Sequence, residues 1–597
     1  MPAPVVPLNF PIKFWWQKIK AQALSIFRYR NQNNIKQEDI DKRLVYSLSP
    51  RKLPTKNQLR HLNKFLNPRE FFIVKICVAV VLVGLAYYGY IFIGGHLQAV
   101  PTQGGSYSEG LIGYPRAINP LYSVSRDVDA DLSILIYSRL YKYDSSGRLS
   151  PDLADNLSIS EDGREYTIHI KENVLWHNGE RLTADDIVFT VQTIQNSAFR
   201  SPLRSALSIA VIEKIDDLTV KFKLNEPFSP FVDLLTFGIM PKRLWEGITP
   251  DGALISDLNL KPVGSGPYRF KSLVRSSAGD IKEYVLEVNE SYYLDVPFIT
   301  NLNFKFYPNY EEAVKALNSK QISGISYLPL DWKNEILAQN SLNFFSLNQP
   351  RFVSLFFNQA KNQALANKDN RIALALALDK QAIINEISKE FYQPVDGPIL
   401  QSNWAYSDTL IRYLYNPEEA KEKLSNREIN IILTVVDSGS NILVADKIKN
   451  YWEQIGVKVE LRIISGDQSA EVIKNRDFEV LLYGQSIGGD PDIYAFWHSG
   501  QSGSSGFNLS DYKNLEVDKL LVEARLINSE EGRREKYRQI QEIITGDLPA
   551  IFLYSPSYIY VQSNKLKGFD GQSVISPADR FAGVSGWYLK TDRRLAW

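Results

Sequence analysis

The sequence predicts a mixed α/β protein in two lobes, preceded by one membrane-crossing helix. Three observations carry this reading. A chain of 597 residues exceeds what one compact core holds, so it divides into domains or lobes. Phe71 to Ile93, FFIVKICVAVVLVGLAYYGYIFI, is apolar throughout with Lys75 as its only charge. That is about the 20 residues a helix needs to cross a bilayer core. Farther along, a strand–helix–strand pattern between 431 and 463 calls for a parallel strand pair joined by a right-handed crossover.

The elements follow in order. Residues 1–70 hold 14 Lys or Arg against 4 Asp or Glu, while the rest of the chain holds 54 against 63. The overall charge of +1 therefore averages a basic arm and an acidic remainder. Basic flanks stay cytoplasmic, which orients the 71–95 helix with its N-terminus inside and everything after it outside. Lys75 can snorkel at one end, and Tyr87, Tyr88 and Tyr90 suit the aromatic belt at the other. A 70-residue basic leader is far longer than the start of a cleaved signal peptide, and no A-x-A site follows the apolar run. Residues 96–107, rich in Gly and Ser, read as a linker.

Beyond the linker, Leu157–Ser160, the turn Glu161-Asp162-Gly163 and alternating Tyr166, Ile168 and Ile170 predict a hairpin. Thr183 with Asp186 is a capping-box start for a helix carrying Ile187, Val191 and Ile194. Val220, Phe222 and Leu224 alternate with lysines as a half-exposed strand. Ile372, Leu376, Ile383 and Ile387 mark one further helical face. Ile431–Val436 reads as a buried strand, and Ala445, Ile448, Trp452 and Ile455 as the stripe of a helix that Gly456 ends. Val457, Val459, Leu461 and Ile463 form the strand after it.

Several function classes are excluded or left without support. Near-neutral charge argues against a nucleic-acid binder. One cysteine, Cys77, rules out an intramolecular disulfide framework, and the five histidines have no metal-ligand spacing, so neither metal nor cofactor is expected. No GxxxxGK[ST] loop, HExxH helix or GxSxG elbow is present, and no catalytic residue is assigned. His177, in WHNGE, is expected to make a structural hydrogen bond. Asp185 and Asp186 are expected to complement a helix dipole.

At Leu149–Thr190 the run LSPDLADNLSISEDGREYTIHIKENVLWHNGERLTADDIVFT resembles the signature of bacterial extracellular solute-binding proteins of family 5. Further landmarks follow in family order: Asn119-Pro120-Leu121, VGSGPYRF at 263–270, RIALALALD at 371–379, Asn416–Leu424, QIGVKVEL at 454–461 and GGDPD at 488–492. The resemblance covers roughly residues 105–590. It implies a periplasmic-binding-protein-like fold with a large extra subdomain in lobe I. It also implies a receptor that encloses a peptide-like solute between hinged lobes and hands it to an ABC permease and its ATPase. A non-peptide solute such as a sugar or metal chelate, a tethered sensor, and an extracellular hydrolase remain as alternatives. The implied division is a cytoplasmic arm over 1–70, lobe I over 108–345 and 556–597, and lobe II over 346–555.

The resemblance places the ligand-facing loop of lobe II at Tyr483–Trp497. From it, the expected ligand-binding residues are Tyr483, Gln485, Asp490, Asp492, Tyr494 and Trp497, with Trp404 on a second loop and Asn358 near the hinge. Peptide-binding members clamp the ligand's amino group with an aspartate four residues before the motif's proline, and here that position is Ile487. An isoleucine cannot offset the burial of an ammonium. Either Asp490 or Asp492 takes over, or the ligand presents no clamped amino terminus. The tryptophan seven residues before that proline in some members is replaced by Gly484.

Overall fold

The structure, a computed structural model, describes residues 66–595 apart from 338, 426 and 505. Most of the basic arm therefore lies outside the described residues. The chain forms two compact units, 1–99 with 593–597, and 100–592.

The described part of the first unit is dominated by the helix Pro68–His96, whose mean hydropathy reaches 2.4 over its most apolar window. Its 29 residues rise about 43 Å at 1.5 Å each, more than a hydrocarbon core of about 30 Å requires. Asn67 and Glu70 close a capping box at its start, with Pro68 at the first helical position. Lys75 lies over the Phe71 ring at 4.8 Å, so its charge rests near the polar end of the helix.

The larger unit is built on three principal sheets. A seven-stranded mixed sheet runs in the order Leu342–Leu347, Tyr558–Ser563, Gly324–Ile325, Ser106–Ile112, Asn301–Tyr307, Ile281–Val288, Tyr268–Arg275. A six-stranded sheet runs Tyr392–Pro394, Ala550–Pro556, Arg351–Phe357, Val480–Ser486, Ile429–Val436, Val457–Ile464. These are the frames of lobe I and lobe II. A four-stranded antiparallel sheet, Ala154–Ile159, Glu165–Ile170, Thr219–Leu224 and Ala210–Lys214, is the extra subdomain of lobe I. The helix Ala184–Gln195 covers it, burying Ile187, Val191 and Ile194 with Ile168, Val220 and Phe222.

The predicted strand–helix–strand unit is present as Ile429–Val436, Asn441–Gln454 and Val457–Ile464, with the strands parallel from Ile429↔Val457 to Val436↔Ile464. Gly456 turns the chain at φ 90°, a conformation that costs other residues steric strain. Trp452 is buried completely and donates its indole N–H to Leu374 O at 2.9 Å. The hairpin and the Thr183–Asp186 capping box also form as expected.

Two expectations are corrected. The supposed linker 96–107 contains a strand, Leu97–Thr102, and the large sheet already begins at Ser106. Gly104 and Gly105 have φ of 133° and 95°, so they serve a tight turn between strands, and Gly104 N donates to Phe298 O at 2.7 Å. The single helical face through Ile372–Ile387 is two helices, Lys368–Leu376 and Lys380–Ile387. Asp379 breaks the run because its carboxylate caps the second helix, accepting from Ala382 N at 2.8 Å.

Several sequence landmarks have purely architectural causes. Arg371 is buried and donates to the carbonyls of Leu365, Ala366, Asp547 and Leu548 at 2.7–3.0 Å, tying two chain segments together. In VGSGPYRF, a Cβ on Gly264 would stand 1.9 Å from the Ile136 carbonyl oxygen, and one on Gly266 would stand 2.6 Å from that of Leu135. His177 accepts from Gly264 N through Nδ1 and donates from Nε2 to Gly266 O, and burial pushes its pKa down to about 4. Asn119 is fully buried, accepts from Leu121 N and pairs with Asn259.

The most demanding feature of lobe I is Arg580. Its guanidinium is completely buried and donates to Glu109 at 2.7 and 2.9 Å and to Asp131 at 2.6 and 2.7 Å. Arg580→Met leaves two carboxylates without their cation, and we expect a loss of about 3–5 kcal/mol in chemical denaturation. A loss under about 1 kcal/mol would mean that water already satisfies them. Gly264→Ala should cost about 1–3 kcal/mol by overpacking. Gly466→Ala, at a helix start with nothing within 4 Å, should cost none by the same measurement.

Candidate ligand cleft between the lobes

The chain passes from the lobe I sheet to the lobe II sheet through Asn348–Pro350 and returns through Ser557. On either side of these crossings the partner strands stay paired, Leu347 opposite Tyr558 and Val353 opposite Tyr554. Gln349 Nε2 donates to Pro556 O at 3.3 Å, and Ser555 Oγ to Arg351 O at 2.6 Å, so the two crossings are stitched to each other. Two short, adjacent connectors of this kind let the lobes rotate while each lobe stays rigid.

Beside the crossings is a cavity of about 230 Å3, lined mostly by lobe I and bounded by the crossing toward lobe II. Lobe I contributes Asp127 and Asp131 from the helix Asp127–Ile136, together with Tyr310, Tyr327 and Tyr558. Gln349 and Arg351 come from the crossing and the first lobe II strand. Asp131 is already paired with Arg580. Arg351 is exposed and makes no ion pair among the described residues. Its guanidinium lies over Gly484 on the neighbouring strand, where a Cβ would meet Nε and Nη2 at 3.1 Å. Tyr558 is 3% exposed, and its hydroxyl has no hydrogen-bond partner among the described residues.

At a second place the lobes touch through polar groups. Tyr143 of lobe I donates to Asp233 at 2.5 Å, and the same carboxylate accepts from Asp490 N of lobe II. Burial pushes the Asp233 carboxyl up to about 6; Tyr143 and Arg533 pull it down and the Asp490 carboxylate adds to the rise. Asp490 is raised as well by burial, although Arg533 donates to it at 2.6 Å. Gly489 is required here because a Cβ would lie 2.5 Å from the Tyr143 hydroxyl. Ser229 also donates to Ala524 O across the junction at 3.3 Å.

The residues expected from sequence divide among different roles. Asp490 and Asp492 are both neutralised within lobe II, Asp492 by a two-pronged contact from Arg525 at 2.7 and 3.0 Å. Arg525 in turn stacks over Tyr494 at 3.7 Å and faces Phe228 of lobe I at 5.4 Å. Trp404 is half-buried under Arg533 and edge-on to Tyr537. Tyr483 is half-buried, packed on the lobe II core. Gln485 is buried and donates to Phe507 O. Trp497 is 1% exposed in the core against Phe552 and Tyr512, which leaves its ring no face for a ligand. Asn358 is buried too, and its side chain is used up by Arg476 O and the backbone N–H groups of Ala360 and Lys361. Ile487 is 6% exposed among core side chains, and its N–H donates to Pro350 O at 2.8 Å.

Sequence reasoning missed Arg351, Asp127 and Tyr558. Only the charge heading the apolar run RFVSLFF could have singled out Arg351.

Known proteins place the chain. Residues 148–507 match "Bacterial extracellular solute-binding proteins, family 5 Middle". The oligopeptide-binding protein AppA of Bacillus subtilis is 27% identical over 516 residues, covering 82% of this chain and 92% of that one. A dipeptide-binding protein of Pseudomonas aeruginosa is 27% identical over 517 residues, covering 79% and 93%. Among solved structures, the ABC transporter substrate-binding protein CtaP of Listeria monocytogenes superposes with a TM-score of 0.72 at 26% identity, covering 82% of this chain and all of that one. AppA of B. subtilis in complex with a nonapeptide gives 0.63 at 26% identity, with the same coverage. With a match over more than half its length and the two-lobed fold in common, the chain belongs to the bacterial extracellular solute-binding proteins of family 5.

Proposed function

We propose that this chain is an extracytoplasmic receptor that captures a peptide-like solute between its lobes and delivers it, unchanged, to an ABC import permease and its ATPase. The observation that carries the reading is the cavity at the crossings, lined by lobe I and by Gln349 and Arg351 where the chain enters lobe II, in a family whose curated relatives include oligopeptide- and dipeptide-binding proteins. The helix Pro68–His96 holds the receptor to the membrane, with the basic arm cytoplasmic and the lobes outside. Lobe I spans 108–345 and 556–597, and lobe II 346–555.

Capture works by differential contact. An open hinge exposes the cavity walls separately, and a ligand that touches both stabilises closure by the contacts it gains only there. Tethering keeps the loaded receptor in the plane of the permease.

The test is a thermal-shift screen of the full chain in detergent micelles against peptides, sugars and metal chelates. A peptide at 100 times its Kd should stabilise the receptor by about 2.7 kcal/mol. No shift with any peptide, alongside a clear shift with a sugar or chelate, would sink the peptide reading and leave the family intact.

Closure also carries a pH signature. Closing sets Asp233 against Asp490, where burial raises the Asp233 carboxyl to about 6, while an open junction leaves it near the ordinary value of about 3.9. The closed state then binds the proton more tightly, so closure gains as pH falls through about 6 and loses that gain above it. Calorimetric titration of a stabilising peptide should show several-fold tighter binding at pH 5.5 than at 7.5. Asp233→Asn should flatten the difference; an unchanged pH slope in that variant would remove Asp233 from the closure.

A further inference from the structure

The strand Leu97–Thr102 follows the helix Pro68–His96 with no residue between them, and it pairs with Lys590–Leu595, near the far end of the chain, in a sheet of two strands. Arg593 and Arg594 thereby fall in the same compact unit as the helix. None of the ribbon's described side chains is buried, and the four residues 591–594 are all exposed. A ribbon of two strands is marginally stable in water by itself, and a surface to lie on stabilises it.

Position and charge both select the bilayer as that surface. The helix rises about 43 Å against a hydrocarbon core of about 30 Å, so its last turn reaches the headgroups. At about 3.3 Å per residue, Leu97–Ala99 stay within about 10 Å of the helix end, and a paired strand lies about 4.8 Å to the side. A Debye length is about 8–10 Å, so basic groups at this distance feel an anionic surface. Residues 97–108 carry no charged side chain, and Lys590–Leu595 supplies Lys590, Arg593 and Arg594 against Asp592. The chain after residue 70 is acidic, with 54 Lys or Arg against 63 Asp or Glu, so this strand runs against the charge of the part it closes. Outer basic residues oppose insertion only when they are close to the helix in sequence. Arg593 and Arg594 come about 500 residues later, so the fold brings their charge to the outer surface without disturbing topology.

We propose that Arg593 and Arg594 seat on the phosphates of anionic phospholipid headgroups at the outer face of the bilayer, giving the chain a second membrane contact besides its helix. The seat rests on the membrane-anchor reading above and adds a partner to it. Each guanidinium is a planar fork that pairs with two phosphate oxygens. Free phosphate shares that chemistry, and the array of headgroups beside the helix end selects the lipid.

The test reconstitutes the full chain, with Cys77→Ser and with Thr591→Cys carrying a fluorophore, in vesicles of phosphatidylcholine alone or with roughly one third phosphatidylglycerol. A lipid spin-labelled at its headgroup, in equal amount in both, quenches the fluorophore when the ribbon lies on the surface. Quenching should rise about twofold with phosphatidylglycerol and fall back at high salt. Arg593→Gln with Arg594→Gln should remove the difference, Arg593→Lys with Arg594→Lys should keep most of it, and neither pair should shift the melting temperature in micelles. Inorganic phosphate at constant ionic strength should leave the difference in place; its loss there assigns the site to a free anion and overturns the lipid seat. Equal quenching in both vesicles, or a difference that survives the paired Gln variant, also overturns it. An alkaline wash tells the two readings apart. Protein that stays in the vesicles without the difference keeps its anchor and loses the seat. Protein that washes out yet shows the difference keeps the seat and loses the anchor.

Discussion

The buried guanidinium of Arg580 is the constraint on which lobe I depends. It joins the first strand of the large sheet through Glu109, the first helix through Asp131 and the C-terminal segment through its own backbone. Tyr560, on the strand that re-enters lobe I, donates to the same Glu109 at 2.6 Å. Removing charges from water costs several kcal/mol per ion, and only near-complete pairing returns it. Four contacts from one side chain supply that pairing and leave the two acids no other position. The register of the return crossing is thereby keyed to the start of the lobe.

That constraint reaches the cleft. Asp131 stands in the cavity wall, and because Arg580 holds it, its charge is already committed. Of the wall's charged groups, Asp127 and Arg351 are those without an ion pair among the described residues. The hinge itself adds stiffness: the crossings span three residues and one, so the lobes turn about paired strands rather than a loose linker. What moves is therefore the spacing between fixed walls, and recognition depends on which groups those walls present.

Much of this was legible in the sequence where local chemistry decides structure. Gly456, the Thr183–Asp186 capping box and the alternating strand at 219–224 each act within a few residues, and each element forms as its pattern predicts. The linker misled because glycines signal flexibility and tight turns alike, and only strand pairing tells which. The break at Asp379 was hidden because the apolar spacing is continuous across it. At the site the difficulty is distance. Asp490 and Asp492 look like free carboxylates until Arg533 and Arg525, 43 and 33 residues later, are folded onto them. Trp497 looks like a stacking platform until Phe552 and Tyr512 enclose it.

The two departures from the family pattern, Ile487 and Gly484, lie close together in one local geometry. Ile487 packs into the lobe II core and presents no polar group to the cleft. Gly484, on the adjoining strand, opens a gap beside Arg351, its diagonal neighbour across the β-ladder. Some family landmarks belong to the frame instead: Arg371 bonds to backbone carbonyls and Gly264 packs against one. Selectivity in this chain is thus free to vary through the few wall positions that no framework contact has claimed.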